Sequence, residues 1–344
     1  MKAYFEKYSL HFKRPGGTSR GVLHTKDTYF LIVEQDGKKG IGECGLFRGL
    51  SSDDRPEYEE QLAFVCSHIS KGEAWLLKQL QQWPSIHFGV EQAFLSLKGQ
   101  TPFDFYPSKF TRGEDAIAIN GLIWMGTPSF MKEQIAEKIA AGFRTIKLKI
   151  GALDFETELQ LLKSIRKQFS EREIELRVDA NGAFSPVNAL EKLKQLSELK
   201  LHSIEQPIRQ GHWQEMAALC EATPLDIALD EELIGLYSEE NREELLASVR
   251  PQFIILKPSL VGGFSDCSQW IQMAESNGIG WWLTSALESN IGLNAIAQYT
   301  YSLSTQLAQG LGTGGLFTNN FDSPLSVQSG RLEYNPKGEW NFNL

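Results

Sequence analysis

Short apolar runs recur through the middle of this chain, most of them ending in a charged or amide residue. Residues 145–150 (Thr-Ile-Lys-Leu-Lys-Ile), 175–179, 202–205, 226–230, 253–257 and 280–284 read as strands. A further strand, 116–124, opens the series. Stretches with helical spacing lie between them, at 128–141, 154–169, 186–196, 212–220, 239–249, 264–277 and 291–303. Strict alternation of strand and helix predicts a parallel sheet. The first 110 or so residues follow another grammar. Residues 4–12 and 27–35 predict strands, and Asp36-Gly37 turns the second into 39–43, an antiparallel meander. Helical patterns follow at 56–70, 72–82 and 88–99, which makes this an α+β unit.

The polar strand ends decide how the parallel strands are arranged. Lys149, Asp179, Glu205, Asp230 and Lys257 follow one another at intervals of 25 to 30 residues. A (β/α) barrel uses about 31 residues per unit, fewer with tight loops. Such ends converge only if the strands close into a ring; an open sheet would spread them at about 4.8 Å per strand. No Gly-x-Gly-x-x-Gly follows the first strand, which counts against a dinucleotide fold. Gly310-Leu311-Gly312-Thr313-Gly314-Gly315 reads as the final strand and its loop. The tail shows hairpin character, 330–334 and 339–342 about a turn at Asn335-Pro336-Lys337-Gly338, and is expected to return to the N-terminal unit. The expected organisation is a capping unit over 1–112, a barrel over 113–316 and a returning tail over 317–344.

Composition narrows the chemistry. The chain has 344 residues and a net charge of −9. An acidic surface argues against nucleic acid and anionic membranes as partners, so a small-molecule substrate is expected. No apolar run approaches the roughly 18 residues of a membrane span. The opening Met1-Lys2-Ala3-Tyr4-Phe5 lacks a signal-peptide hydrophobic region. Cys44, Cys66, Cys220 and Cys267 are scattered and read as buried thiols. A reducing cytoplasm is the expected compartment. The six histidines show no metal-ligand spacing, and His202 reads as a packed residue at a strand start.

Lys147 and Lys149 lie two apart on one strand and share a face. Asp179, Glu205 and Asp230 stand on three consecutive strands. One such acid would read as a cap for the next helix. Three in register, beside two strands bearing lysines, read as an oxygen-only ligand set for Mg²⁺, with Mn²⁺ as a substitute. Lys149 is the candidate base, and its proton affinity must be lowered by Lys147, the metal charge and desolvation. Lys257 approaches from the other side of the ring. Arg177 and Asn181 lie on the same face as Asp179, Arg177 as a charge standing behind the ligands. Removing a proton next to a carboxylate creates an enediolate, whose two oxygens a divalent cation stabilises.

These residues carry a resemblance. Lys147-x-Lys149, Val178-Asp179-Ala180-Asn181, Ile204-Glu205-Gln206-Pro207, Leu229-Asp230-Glu231 and Lys257-Pro258-Ser259-Leu260-x-Gly262-Gly263 resemble the enolase superfamily over nearly the whole chain. Lysines on both the second and the sixth strand are similar to its muconate-lactonizing subgroup. The resemblance implies an α/β fold, a modified (β/α)7β TIM barrel with an N-terminal α+β capping domain completed by the C-terminal tail. Within the subgroup, residues 283–293 and 310–317 are most similar to the o-succinylbenzoate synthases of menaquinone biosynthesis. That resemblance implies a Mg²⁺-dependent syn-dehydration with Lys149 as base and Lys257 charged over the intermediate. It also implies that Thr284, Ser285, Gly310 and Gly312 bind substrate, the Gly310 N–H and Thr284 taking the succinyl carboxylate. Residues 16–21 and 46–50 correspond to loops closing over substrate. Related dipeptide epimerases carry an Asp-x-Asp where this chain reads Ser285-Ala286-Leu287-Glu288. The alternatives are an N-acylamino-acid racemase or dipeptide epimerase of the same subgroup, an aldolase barrel using Lys257 as a Schiff base, and a non-catalytic barrel.

Overall fold

The computed structural model describes residues 1–18 and 21–344. Strands β1 (Lys2–Thr18), β2 (Gly21–Gln35) and β3 (Lys38–Cys44) form an antiparallel meander. Its buried face (Tyr29, Leu31, Val33) packs on helices α1 (Tyr58–Ser67), α2 (Glu73–Gln79) and α3 (Pro84–Lys98). Helix α3 begins four residues before its expected start. Pro84 suits the first helical position, and Asp53 accepts from the Ser85 N–H and hydroxyl at 2.9 and 2.7 Å. The first hairpin is longer than expected. Gly16, Gly17 and Thr18 pair with Leu23, Val22 and Gly21, so the expected loop at 16–21 is strand on either side of Ser19 and Arg20, which lie outside the described residues.

The expected strand at 116–124 is two strands. Strand β4 (Ile117–Ala118) pairs outward with the tail, and β5 (Gly121–Ile123) opens the parallel sheet. Then follow β6 (Thr145–Lys149), β7 (Glu175–Asp179), β8 (Ser203–Glu205), β9 (Ile227–Leu229), β10 (Phe253–Leu256) and β11 (Gly280–Leu283), each hydrogen-bonded to the next in chain order. Connecting them are α4 (Pro128–Ala140), α5 (Phe155–Arg166), α6 (Pro186–Ser197), α7 (Trp213–Ala222), α8 (Glu239–Val249), a short α9 (Pro258–Val261), α10 (Gly263–Ser276) and α11 (Asn290–Ser302). Local chemistry starts several of these: Thr127, Asp154 and Ser238 each accept from a backbone N–H in the first turn of α4, α5 and α8. The short α9 escapes a periodicity reading because four residues hold barely one turn.

Two residues close the ring. Gln309 N–H donates to Ala118 O at 2.9 Å, and Gln309 O accepts from Asn120. Gly310 N–H donates to Leu283 O at 2.8 Å, and the Gln309 side chain accepts from Leu283 N at 2.8 Å. Gln309-Gly310 therefore fills the eighth position between β11 and β5. In the tail, β12 (Leu325–Gln328) and β13 (Arg331–Tyr334) form a hairpin one segment earlier than expected. Its turn is Ser329-Gly330, both at positive φ (47° and 70°), the geometry a two-residue hairpin turn demands. Strand β13 pairs with β4. Elsewhere the tail runs beside the meander: Lys13 donates to Leu316 O, and Phe30, Phe103, Phe321, Trp340 and Phe342 pack together.

Candidate active site

The strand register dictates the site. Lys149 pairs with Asp179, and Asp179 with Glu205, at the C-terminal ends of β6, β7 and β8. Asp230 and Lys257 directly follow β9 and β10. In a ring of eight positions β6 and β10 face one another across the barrel. Sequence reasoning placed these five residues together, and the structure brings them together.

Ion pairing is dense. Lys149 Nζ donates to Asp179 Oδ2 and Asn181 Oδ1, both at 2.8 Å. Lys147 Nζ donates to Glu205 Oε2 at 2.5 Å and lies 3.1 Å from Asp179 Oδ2. Lys257 Nζ donates to Asp230 Oδ2. Asn181 has φ 44°, a left-handed turn that aims its side chain back at Lys149, and its amide donates to Glu231 at 3.0 Å. The carboxylates of Asp179, Glu205 and Asp230 are all buried.

Burial by itself would raise the Asp179 carboxyl, but the Lys147 and Lys149 ammoniums outweigh it and hold it well below the usual carboxylate range. Glu205 goes the other way, raised by burial and by the charges of Asp179 and Asp230. Burial pulls the Lys147 and Lys257 ammoniums down, but the surrounding carboxylates outweigh it and hold both protonated.

Among the described residues no three acid, histidine or cysteine side chains gather closely enough to hold a metal. The lysines account for this, since each acid leans onto an ammonium. The donor set still fits a hard cation. All three donors are carboxylates at neighbouring strand ends, and Glu205 Oε1 is buried with no hydrogen-bond partner.

One cavity holds the chemistry. Lys147, Lys149, Asp179, Asn181 and Lys257 line it together with Thr284, Ser285, Gly310 and Gly312. The role expected for Gly310 needs correction. Its N–H closes the barrel by donating to Leu283 and so is not offered to a ligand. Its missing side chain matters instead: a Cβ there would stand 2.4 Å from Thr284 Oγ1. The Ser285 hydroxyl is also engaged, donating to Glu288 Oε2 at 2.6 Å. Arg177 points into the barrel as expected, but it belongs to the floor. Its guanidinium donates to Glu175 and Ala308 O and lies 4.4 Å from the Trp282 ring centre.

Sequence reasoning missed several walls. Leu122, Trp124 and Leu260 line the cavity, and Gln134 holds Trp124 by bonding both its N–H and its C=O. From the meander come Arg14 and Leu23, also unforeseen, whereas Thr18, Phe47 and Leu50 belong to the segments 16–21 and 46–50 expected to close over substrate. Trp124 was detectable, because it follows the end of a barrel strand just as the acids do.

Comparison with known proteins identifies the fold and the family. Residues 131–338 match the family described as enolase C-terminal domain-like. The chain is 48% identical to an o-succinylbenzoate synthase from Desulfotalea psychrophila, over 96% of this chain and 98% of that one. The crystal structure of MenC from the same organism superposes with a TM-score of 0.86 at 44% identity, covering 97% of this chain and 99% of that one. A muconate lactonizing enzyme from Pseudomonas fluorescens, complexed with muconolactone, shares the fold at 20% identity, with a TM-score of 0.81, covering 99% and 96%.

Proposed function

Because the chain belongs to the enolase superfamily, we propose that it is a lyase acting as an o-succinylbenzoate synthase. The reaction is the syn-dehydration of a succinyl-hydroxycyclohexadiene carboxylate in menaquinone biosynthesis. What carries the reading is the facing pair Lys149 and Lys257 in one cavity, within a chain similar over almost its whole length to a synthase. Relatives of this kind act on small-molecule carboxylates. Among the described residues no helix is long and apolar enough to cross a membrane.

Lys149 takes the proton from the ring carbon next to the carboxylate, leaving an enediolate. The electron pair then expels the ring hydroxyl, and the Lys149 ammonium returns the proton to it on the same face. Water leaves, the ring becomes aromatic, and the amine is regenerated. Asn181 and Asp179 orient Lys149. Lys257, charged and facing from the other side of the barrel, stabilises the negative charge that develops. Members of this superfamily are generally Mg²⁺-dependent. Held by Asp179, Glu205 and Asp230, the ion would supply positive charge to the substrate carboxylate. Thr284 lies at the succinyl end. The division 1–112, 113–316 and 317–344 gives the closing surface to the first segment.

The same lysine pair also suits racemisation of an N-acylamino acid. One experiment separates the two. The enzyme is given Mg²⁺ in deuterated water with the cyclohexadiene substrate, with an N-succinylamino acid, and with a dipeptide. The reading expects ultraviolet absorbance of o-succinylbenzoate from the first and no epimerised dipeptide. Efficient α-hydrogen exchange in the other two, with no dehydration, overturns it.

A further inference from the structure

Glu288 is fully buried, and its carboxylate bonds to neither Lys149 nor the acids around that lysine. Its two oxygens are divided between two barrel loops. Oε1 accepts from Ser259 Oγ at 2.5 Å, and Oε2 from Ser285 Oγ at 2.6 Å. Ser259 sits two residues after Lys257, in the one-turn helix α9 that follows β10. Ser285 directly follows Thr284, in the turn that leaves β11. Both serines are themselves buried.

The two serines differ in how many partners they have. Ser285 Oγ accepts from Thr313 Oγ1 at 3.0 Å, Leu287 N at 3.1 Å and Glu288 N at 3.3 Å, so its own proton is left for Glu288. Those bonds hold Leu287 at φ 66°, a conformation a bulky residue adopts only under constraint. Ser259 has Glu288 as its hydrogen-bond acceptor. The capping unit presses on the same point: a Cβ on Gly45 would lie 3.1 Å from both Glu288 Cγ and Ser259 Cβ.

We propose that Glu288 is a positioning residue: through Ser259 and Ser285 it ties the turn carrying Lys257 to the turn carrying Thr284, setting both sides of the substrate cavity in register. The inference rests on the dehydratase reading. Lys257 acts on charge that exists only in the transition state, so its displacement lowers kcat. Thr284 touches substrate in both states, so its displacement raises KM. A misplacement near 1 Å is enough to cost on the order of a hundredfold in rate.

The test uses Ser259→Ala, Ser285→Ala and Glu288→Gln with Mg²⁺ and the cyclohexadiene substrate, alongside thermal melting and calorimetry of o-succinylbenzoate binding. Ser259→Ala is expected to lower kcat by roughly tenfold with KM little changed. Ser285→Ala is expected to raise KM, and the Kd of the product, by roughly fivefold or more. Glu288→Gln should do both, because one of the two accepting oxygens becomes an NH2 donor set against a serine that had been donating. A merely structural role would lower Tm and leave KM, product Kd and the kcat of the folded enzyme alone; that result overturns the inference, as do unchanged constants in both serine variants. Absence of turnover in the unsubstituted enzyme would instead overturn the dehydratase reading.

Discussion

Removing Glu43 should loosen the joint between the meander and the barrel. This carboxylate projects from β3 and is fully buried. It accepts from Thr28 Oγ1 at 2.9 Å, Ser289 N at 2.9 Å, Ser289 Oγ at 2.6 Å and Gly292 N at 2.9 Å. A residue of the first unit therefore satisfies the amides at the start of α11, a helix of the second. Buried Lys26 supplies opposite charge, and its Nζ has no hydrogen-bond partner. Truncation to alanine leaves three donors unpaired, Thr28 keeping Cys44 O as an acceptor, and removes the largest opposite charge facing Lys26, a loss of about 3–5 kcal/mol. Unfolding entropy of about 2.1 cal/mol/K per residue gives about 0.7 kcal/mol per degree for a chain this long. Glu43→Ala should melt about 4–7 °C lower by calorimetry. Glu43→Gln keeps the shape and one acceptor and should fall between. Hydrogen exchange at Ser289 and Gly292 should quicken in both variants. A Glu43→Ala melting temperature within about 1 °C of the parent, with those amides still protected, would refute the reasoning.

Three further outcomes are expected. Asp179→Asn, Glu205→Gln and Asp230→Asn should each weaken Mg²⁺ binding by calorimetry, since an amide keeps one oxygen but loses the charge; unchanged affinity in all three would make these acids lysine partners only. Burial pushes the Asp53 carboxyl up to about 6, despite its bonds from Ser85. Below its unfolded value the stabilising contribution of the protonated group is fully present, and it is lost as pH rises through about 6. Asp53→Asn should therefore gain on the parent by about 2 kcal/mol between pH 4 and 7 in denaturant titrations, and a pH-independent difference contradicts this. Gly310→Val drives a side chain into Thr284 and should cost about 1–3 kcal/mol while raising KM; a variant with normal Tm and normal KM would show that this wall yields.

The site was more legible than its surroundings. Lys147, Lys149, Asp179, Glu205, Asp230 and Lys257 could be read because strand ends impose a period, and charge recurring at that period on apolar strands makes sense only where the ends meet. The ring closure was only half legible. Gln309-Gly310 makes an eighth strand of two residues, and its Gln side chain takes over a backbone partner's role, which no propensity records. The same closure consumes the Gly310 N–H that the motif offered to substrate. The tail hairpin was displaced by one segment because Asn335-Pro336-Lys337-Gly338 is a strong turn signal, whereas Ser329-Gly330 depends on pairing with β4. Glu43, Glu91 and Glu288 were invisible as joints. Glu91, for example, accepts from Phe264 N and Ser265 N at the start of α10, a partner more than 170 residues away.

The account turns on Lys149 as the group that moves the proton. The direct measurement is the appearance of o-succinylbenzoate by ultraviolet absorbance, with Mg²⁺ present, for the parent enzyme and for Lys149→Ala. Circular dichroism and product binding confirm that the variant is folded. Turnover by the parent and none above background by the variant is the predicted result. Near-normal turnover by a folded Lys149→Ala enzyme would contradict it.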